Sequence, residues 1–372
     1  MTDREELKYL MALKQVNGIG DILIRFLLQH AGSATEVFRL PAGKLLRIPK
    51  ISERIAKTIS AFRDFDSIEK ELEWYAGQDI EPITFKDHQY PQRLLTCHDA
   101  PVLLFSKGNI DLNPKRIINV IGTRKCTEYG KWVTEQIVAE LAKFQTTIVS
   151  GLALGIDAAA HKAALQHQLP TIGVLGHGLD MIYPGQHHSL AKKMQENGGL
   201  LTEFQRNTQP DKGNFPMRNR IVAGMCDATI LVESAESGGA MITAEYAHAY
   251  QREVIAIPGR WTDETARGPL KLIYRHKATI LTDPAELAAI LGWEAAGKQL
   301  LIDDFYERKA LFNTLDEEER KIVDVMVRGE SIAIDQLHYL TGIPVPRLSS
   351  TLLSLEFKGA ISPLPGKRFL LI

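Results

Sequence analysis

Apolar residues recur along this chain with several spacings, and the changes of spacing divide it. The opening region has a helical period. Leu7, Leu10, Met11 and Leu13 share one face, VNGIG (16–20) interrupts, and Ile22, Leu23, Phe26 and Leu27 resume the stripe. Residues 80–112 predict a connector of short strands, IEPITF (80–85), YPQRLL (90–95) and PVLLFSKG (101–108), punctuated by Tyr90-Pro91 and Ala100-Pro101. From Arg116 the pattern becomes short, nearly continuous apolar runs: RIINVIG (116–122), TTIVSG (146–151), PTIGVLG (170–176), GLLTEF (199–204), DATILVES (227–234), EVIAIPG (253–259) and ATIL (278–281). Helical segments alternate with them: a stripe of Val133, Ile137, Val138 and Leu141, then GIDAAAHKAAL (155–165), then a stretch around Leu190 to Met194. Strands that are apolar on both faces and separated by helices predict a parallel sheet covered on both sides. The expected fold class is α/β, with an extended Rossmann-like, doubly wound core.

Beyond residue 293 a polar linker with helical content is expected over 294–313. The stretch 314–372 then reads helix (Glu318 to Val327), helix (Ile334 to Leu340), a turn at GIP, helix (Val345 to Phe357) and two short strands (Ala360-Ile361 and Phe369 to Ile372). That order is a winged helix. Its presumed recognition helix offers Arg347, Ser349, Ser350 and Thr351, and its wing Lys367 and Arg368, so double-stranded DNA is a possible partner alongside a protein contact. The predicted domains are a helical domain at 1–78, the Rossmann-like core at 79–293, the linker, and the winged helix at 314–372. Within the first, Gly18 and Gly20 resemble a helix-hairpin-helix turn of a SAM-like domain, whose backbone N–H groups can hold a phosphate. A plain tight turn is the other reading, and both stay open. The weaker copy RIPKIS (47–52), with Lys50 and Ser52 at the glycine positions, reads as turn geometry only.

Composition narrows the function classes. The 372 residues carry 44 Lys+Arg against 45 Asp+Glu, so any anion site is a local patch and not a whole-molecule field. Cys97, Cys126 and Cys226 show no CxxC spacing, which argues for a reducing compartment and against zinc or a disulfide framework. MTDREELKYL lacks a basic-then-apolar signal pattern, and no stretch is long and apolar enough to cross a membrane. A cytoplasmic protein without membrane association, cofactor or metal is expected.

The candidate chemistry lies where glycines follow strands. Gly122, Gly151, Gly176, Gly178 and the pair Gly238-Gly239 all stand just after an apolar run, at the carboxyl edge where open α/β sheets bind ligands. Glycine admits close backbone approach, and the next helix begins with free N–H groups. The first turn is Gly122-Thr123-Arg124, not GxGxxG, and the second strand ends in Ser150-Gly151 with no acid for a ribose, against a nicotinamide or flavin. No GxxxxGK[ST] occurs. KGNFPMRNRIVAG (212–224) sets Lys212, Phe215, Arg218, Asn219 and Arg220 within one segment, with an apolar helix expected to begin at Ile221. Taken alone it is either an anion site with a stacking aromatic or a solvated loop covering a helix end.

VIGTRKCTEYG (120–130), IVSGLALGIDAAAHKAAL (148–165), TIGVLGHGLDMIYP (171–184), NFPMRNRIVAG (214–224) and ESGGAMITAEYAHAYQREVIAIPG (236–259), in that order, resemble the DNA-processing protein A (DprA, or Smf) family. The resemblance implies a homodimeric, non-enzymatic protein that binds single-stranded DNA and loads the RecA recombinase during natural transformation. It implies that Gly122, Thr123 and Arg124 form the Gly-Ser/Thr-Arg motif, with Arg124 on a phosphate. Lys212 and Phe215 match the lid loop, Lys212 for a phosphate and Phe215 for a base. Arg218, Asn219 and Arg220 match the Arg-Asn-Arg segment, and Gly238, Gly239 and Thr243 the next Gly-rich turn. The chain departs at GPLKLI (268–273), where the family usually has Asn in place of Leu270, so no contact carries over there. The segment after 314 resembles the winged domain that ends many DprA chains.

Other constellations read more plainly. Asp157 and His161, i and i+4 on an alanine-rich helix, are expected to be a hydrogen-bonded structural pair, and His177, His187 and His188 lack ligand spacing for a metal. Ser150 is not in a GxSxG elbow. Glu233 and Glu245 are either a carboxylate pair or packing residues. GGAMITAE (238–245) resembles the PGGxGTxxE signature of nucleoside-monophosphate phosphoribohydrolases, but Met241-Ile242 replaces Gly-Thr and no Pro precedes it. A nucleotide hydrolase is thus the rival to a single-strand binder.

Overall fold

The computed structural model describes residues 3–293, 315–326, 331–364 and 367–371. The chain forms two compact units, Met1–Glu294 and Ala295–Ile372. The expected linker at 294–313 lies outside the described residues.

The first unit opens with six helices: α1 (Arg4–Gln15), α2 (Asp21–Ala31), α3 (Ala34–Arg39), α4 (Ala42–Leu45), α5 (Glu53–Ala61) and α6 (Phe65–Gly77). Ser33 and Ser52 cap α3 and α5 by accepting from the N–H groups of Glu36 and Ile55. Gly18 takes a positive φ of 86° in the first turn, and Gly20 precedes α2. These helices do not close a core of their own. Leu10, Leu27, Ile59 and Tyr75 belong to one apolar cluster with Leu103, Phe105, Met194 and Leu200 of the sheet and its cover. Tyr75 stacks on Phe105 with ring centroids 4.6 Å apart.

The sheet has nine strands: β1 (Ile80–Thr84), β2 (Leu103–Asn109), β3 (Ile117–Ile121), β4 (Thr147–Ser150), β5 (Thr171–Val174), β6 (Gly198–Thr202), β7 (Ala228–Leu231), β8 (Glu253–Ala256) and β9 (Thr279–Ile280). Their spatial order is β1-β2-β6-β5-β4-β3-β7-β8-β9. From β6 to β9 every pair is parallel, whereas β1 and β2 pair antiparallel with each other and β2 antiparallel with β6. The expected connector is therefore an antiparallel extension of the main sheet. Within it YPQRLL is not a strand: Gln92–Leu95 form the short helix α7 after Pro91. Tyr90 and Leu94, i and i+4, share one buried cluster, a helical spacing.

The remaining helices of this unit are α8 (Glu128–Ala142), α9 (Ile156–Gln166), α10 (His188–Met194), α11 (Asn214–Gly224), α12 (Gly239–Ala249), α13 (Arg267–Tyr274) and α14 (Leu287–Ile290). Strands β3, β4, β5 and β7 are buried at every position, as expected of strands covered on both faces. Helix α11 begins at Asn214, not at Ile221, so Phe215 lies in its first turn and not in a loop. Pro216 is tolerated there because first-turn N–H groups need no intrahelical acceptor.

The second unit contains α15 (Glu317–Asp324), β10 (Ser331–Ala333), α16 (Ile334–Thr341), α17 (Val345–Phe357), β11 (Ile361–Leu364) and β12 (Arg368–Leu371). Its sheet order is β10-β12-β11, all antiparallel. Strand β10 was not expected, since three residues show no alternation. Val327 and Ile372, expected in a helix and a strand, lie outside the described residues. Thr351 is buried with its hydroxyl on the Arg347 carbonyl, which removes it from a recognition face, whereas Arg347 stays exposed in a surface pair with Glu318 at 2.9 Å.

One polar cluster joins the opening helices to the sheet. The buried guanidinium of Arg220 on α11 meets Glu203 at 2.5 Å, Asp21 of α2 at 3.4 Å and the Asp99 carbonyl at 2.6 Å. Lys14 of α1 adds contacts to Asp21 (3.0 Å) and Glu203 (3.9 Å). Burial raises the Glu203 pKa while Arg220 and Lys14 oppose it. Arg220→Met leaves two carboxylates against one ammonium. Removing one partner of a buried pair costs about 3–5 kcal/mol, and we expect a loss of that order in urea unfolding. The double variant Arg220→Met/Glu203→Leu, which restores charge balance, is expected to lose clearly less.

Candidate nucleic-acid interface

Strand order reverses at β3: β4, β5 and β6 continue to one side, and β7, β8 and β9 to the other. In doubly wound sheets the crevice at such a switch point, outside the carboxyl ends, is the ligand site. A cavity of about 370 Å³ lies there. The turn after β3 forms one wall with Gly122, Thr123, Arg124 and Lys125; the turn after β7 forms the other with Ser237, Gly238 and Gly239. Phe215, Arg218 and Asn219 of α11 complete it.

The turns are fixed from behind. Thr123 N–H donates to the Glu233 carbonyl at 2.7 Å, which ties the β3 turn to the end of β7. The Glu233 carboxylate accepts from Thr127 N–H at 2.9 Å and from its hydroxyl, at the start of α8. Gly155 has a φ of 79° and lies so close under the β3 turn that a Cβ would overlap the Thr123 carbonyl oxygen. Arg218 Nη1 donates to the Gly151 carbonyl at 2.7 Å and to the Val174 carbonyl, at the ends of β4 and β5. Its Nε donates to Asn219 Oδ1, and Asn219 Nδ2 donates to the Gly239 carbonyl at 3.0 Å. Above this floor the exposed Arg124 guanidinium lies over the Phe215 ring, 5.2 Å from its centroid. Tyr183 is tilted against the same ring at 6.1 Å.

The electrostatics are positive at the rim and neutralised below. Burial lowers Arg218 to about 10, aided by Arg124 and opposed by Asp157, so it remains a cation at neutral pH. Asp157, the carboxylate among the described cavity-lining residues, accepts from Gly151 and Ala153 N–H, and burial raises its pKa. The first N–H groups of α12 lack intrahelical acceptors and begin at the Gly238-Gly239 wall. An exposed cation on an aromatic face, a helix N-terminus and a buried guanidinium suit an anionic group attached to a flat apolar ring.

Of the residues expected at the site, Gly122, Thr123, Arg124, Phe215, Arg218, Asn219, Gly238 and Gly239 all line this cavity. Lys212 does not; it is exposed in the turn before α11, where Asp211 accepts from Gly213 N–H at 2.7 Å. Arg220 is a correction: it points away from the cleft into the Glu203–Asp21 cluster, because successive side chains on a helix diverge. Arg218, although in the cleft, is buried and spent on backbone carbonyls.

Most strand-end glycines are packing glycines. A Cβ at Gly122 would strike Ile156, and one at Gly151 would strike Arg218, whereas at Gly238 and Gly239 it would meet only ordinary contacts, Ser234 Oγ at 3.9 Å and Asn219 Nδ2 at 3.8 Å. Asp157 and His161 are not paired with each other: His161 Nδ1 bonds Thr171 Oγ1 at 2.7 Å. Glu245 pairs with Lys277 at 2.5 Å, and Glu233 is held by Thr127, so the two carboxylates do not converge on the cavity. No cluster of three or more metal-ligating side chains occurs among the described residues. Gly155 and Lys125 went unassigned in the sequence; the Gly155 signal was its place between strand and helix.

These features define an α/β protein with a cleft at its switch point, rimmed by a cation on an aromatic ring. Residues 81–292 match the family described as DNA recombination-mediator protein A, and residues 308–367 match the DprA winged helix domain. The chain is 30% identical to protein Smf of Synechocystis over 98% of both chains. It is 40% identical to the DNA processing protein DprA of Bacillus subtilis, over 56% of this chain and 71% of that one. The crystal structure of DNA processing protein A from Streptococcus pneumoniae superposes with a TM-score of 0.67 at 32% identity, covering 76% of this chain and 97% of that one. DNA processing protein A from Helicobacter pylori, whose structure is described as showing a single-stranded DNA binding mode, superposes at 0.52 and 30% identity, over 57% and 95%. The chain belongs to the DNA recombination-mediator protein A family.

Gly155→Ala forces a Cβ against the Thr123 carbonyl at a left-handed φ. Overpacking of this kind costs about 1–3 kcal/mol, and thermal and urea unfolding are expected to show that loss. The nearby exposed Gly185, with open space around it, is expected to accept Ala with almost no change.

Proposed function

We propose that the cleft holds a short run of single-stranded DNA, and that two copies of the chain align such strands for loading of the RecA recombinase in natural transformation. The observation that carries the reading is the Arg124 guanidinium on the Phe215 ring above the first turn of α12. Arg124 neutralises a phosphate, Phe215 engages a base, and Lys212 adds a second cation from the rim. Gly122, Thr123, Gly238 and Gly239 supply backbone to the wall, while Arg218 and Asn219 hold the floor. Family membership and the single-stranded DNA binding mode described for the Helicobacter pylori relative support this substrate class. The homodimer, the RecA contact, a cytoplasmic setting and double-stranded DNA at the winged helix belong to the same proposal. No helix among the described residues is long and apolar enough to cross a membrane.

The rival reading, hydrolysis of a nucleoside monophosphate, finds less support. Glu233 and Glu245, its candidate carboxylates, are engaged by Thr127 and Lys277 away from the cavity. Release of free base from nucleoside monophosphates would favour it.

Binding through phosphates releases counterions and weakens with salt. Arg124→Ala and Lys212→Ala are each expected to weaken single-stranded DNA binding and to lower the slope of log K against log salt by about one. Phe215→Ala is expected to lose about 1–3 kcal/mol with little change in slope. Fluorescence anisotropy with labelled oligonucleotides across a salt series measures all three; unchanged binding in every variant places the site elsewhere.

A further inference from the structure

The carboxyl edge of the sheet does not end at the Phe215 cleft. A second cavity, of about 550 Å³, lies beyond the spine formed by Glu233 and Ser234. The two cavities have no lining residue in common but border on neighbouring residues of the same segments. Thr123 to Lys125 line the first and Thr127 of the same turn lines the second. Ser234 lines the first, and its N–H donates at 2.7 Å to the carbonyl of Thr265, which lines the second. Tyr129, Ile257 and Pro258 then continue from the second cavity into a third groove that reaches Trp132.

The side chains along this path alternate between cations and rings. Tyr129 and Trp132, one helical turn apart on α8, are 56% and 55% exposed, with ring centroids 6.1 Å apart. Trp261, beside Arg260, is 83% exposed. Tyr274, Tyr339 and Phe357 are as exposed elsewhere; what sets Tyr129 apart is that it lines the same cavity as an exposed arginine. Arg260 lines the second cavity and is exposed; among the described residues neither it, Arg124 nor Lys125 has a carboxylate within ion-pair distance. Two acids also line that cavity. Glu233 is turned into the Thr127 cap, and Asp263 stays at the exposed rim. Free cations spaced along rings suit a polyanion whose flat bases stack.

We propose that the DNA strand leaves the Phe215 cleft over the β3 turn and runs onto a second subsite, where Arg260 takes a phosphate and Tyr129, backed by Trp132, stacks a base. The inference rests on the single-strand reading above and extends it from one nucleotide-sized cleft to a continuous track. Affinity then depends on strand length in a residue-specific way.

The test uses the full chain and labelled deoxythymidine oligonucleotides of about four and about twelve nucleotides, compared by anisotropy. Arg260→Ala and Tyr129→Ala are expected to weaken the long strand about fivefold or more and to leave the short one within about twofold. Arg260→Lys is expected to keep most of the affinity and the full salt slope, and the long strand alone is expected to quench Trp132, read as the difference from Trp132→Phe. Equal weakening of both lengths, or of neither, overturns the second subsite. Arg124→Ala separates the two claims. If it weakens both lengths while the Arg260 and Tyr129 variants do nothing, only the extension falls. If it weakens neither, the single-strand reading itself falls.

Discussion

The cleft depends on where one buried guanidinium is spent. Arg218 stands on the helix that carries Phe215, yet it donates to carbonyls at the ends of β4 and β5. Through Asn219 the same helix grips the Gly239 carbonyl at the start of α12. The ends of β4 and β5 are thus held by charge-assisted bonds and the start of α12 by a neutral amide bond, all in a dry place that strengthens them. The same burial makes the arrangement costly to break, since a guanidinium deprived of its acceptors has no water to turn to. Two residues on, Arg220 performs the corresponding task in the other direction, holding α1 and α2 against the sheet through Glu203 and Asp21. The Arg-Asn-Arg segment is therefore a two-sided anchor, and Phe215 is placed by it.

Charge balance and a local anion site are reconciled by this division of labour. With 44 basic and 45 acidic side chains, the molecule has no net field to attract a polyanion. Its buried cations are neutralised by neighbours: Arg220 by Glu203, and Arg218 in part by Asp157. The exposed cations at the carboxyl edge are left uncompensated. Arg124, Lys125 and Arg260 thus keep their charge where the cavities open.

The alternation of short apolar runs with helical stripes made the parallel core legible, because strands covered on both faces are mostly apolar and their few polar residues, such as Asn119 and Thr229, bond one another. The antiparallel pair β1 and β2 was harder to place: nothing within 80–108 states which edge it joins, and its partner there, β6, lies about ninety residues further along the chain, with Tyr75 of the preceding helix packed on Phe105. At the site, the glycines marked the right turns for a partly wrong reason. Gly122, Gly151 and Gly155 are small because Ile156, Arg218 and the Thr123 carbonyl occupy their space, not because a ligand does. Only the pair Gly238-Gly239 keeps the open approach that the sequence pattern suggested for all. Likewise the direction in which each arginine of 218–220 points is a matter of helical phase, and the apolar run from Ile221 does not reveal that α11 already begins at Asn214.

The contact of Arg124 with Phe215 also constrains how a nucleotide can enter. A guanidinium 5.2 Å above the ring centroid occupies the face on which a base would stack, and Tyr183 leans on the same ring at 6.1 Å. Behind the ring, a Cβ at Gly176 would stand 3.0 Å from it, so Phe215 cannot retreat into the sheet. The base and Arg124 therefore compete for one surface unless Arg124 swings outward. An outward swing carries the guanidinium toward the phosphates of the same strand, which offset the lost cation–π contact with a charge-assisted one. In the proposed single-strand reading, occupation of the ring by a base and capture of the phosphate by Arg124 are one coupled event. An isolated base lacks the phosphate that draws Arg124 away, and a bare phosphate leaves the ring face unused. The arrangement selects for the two joined together, as they are along a single strand.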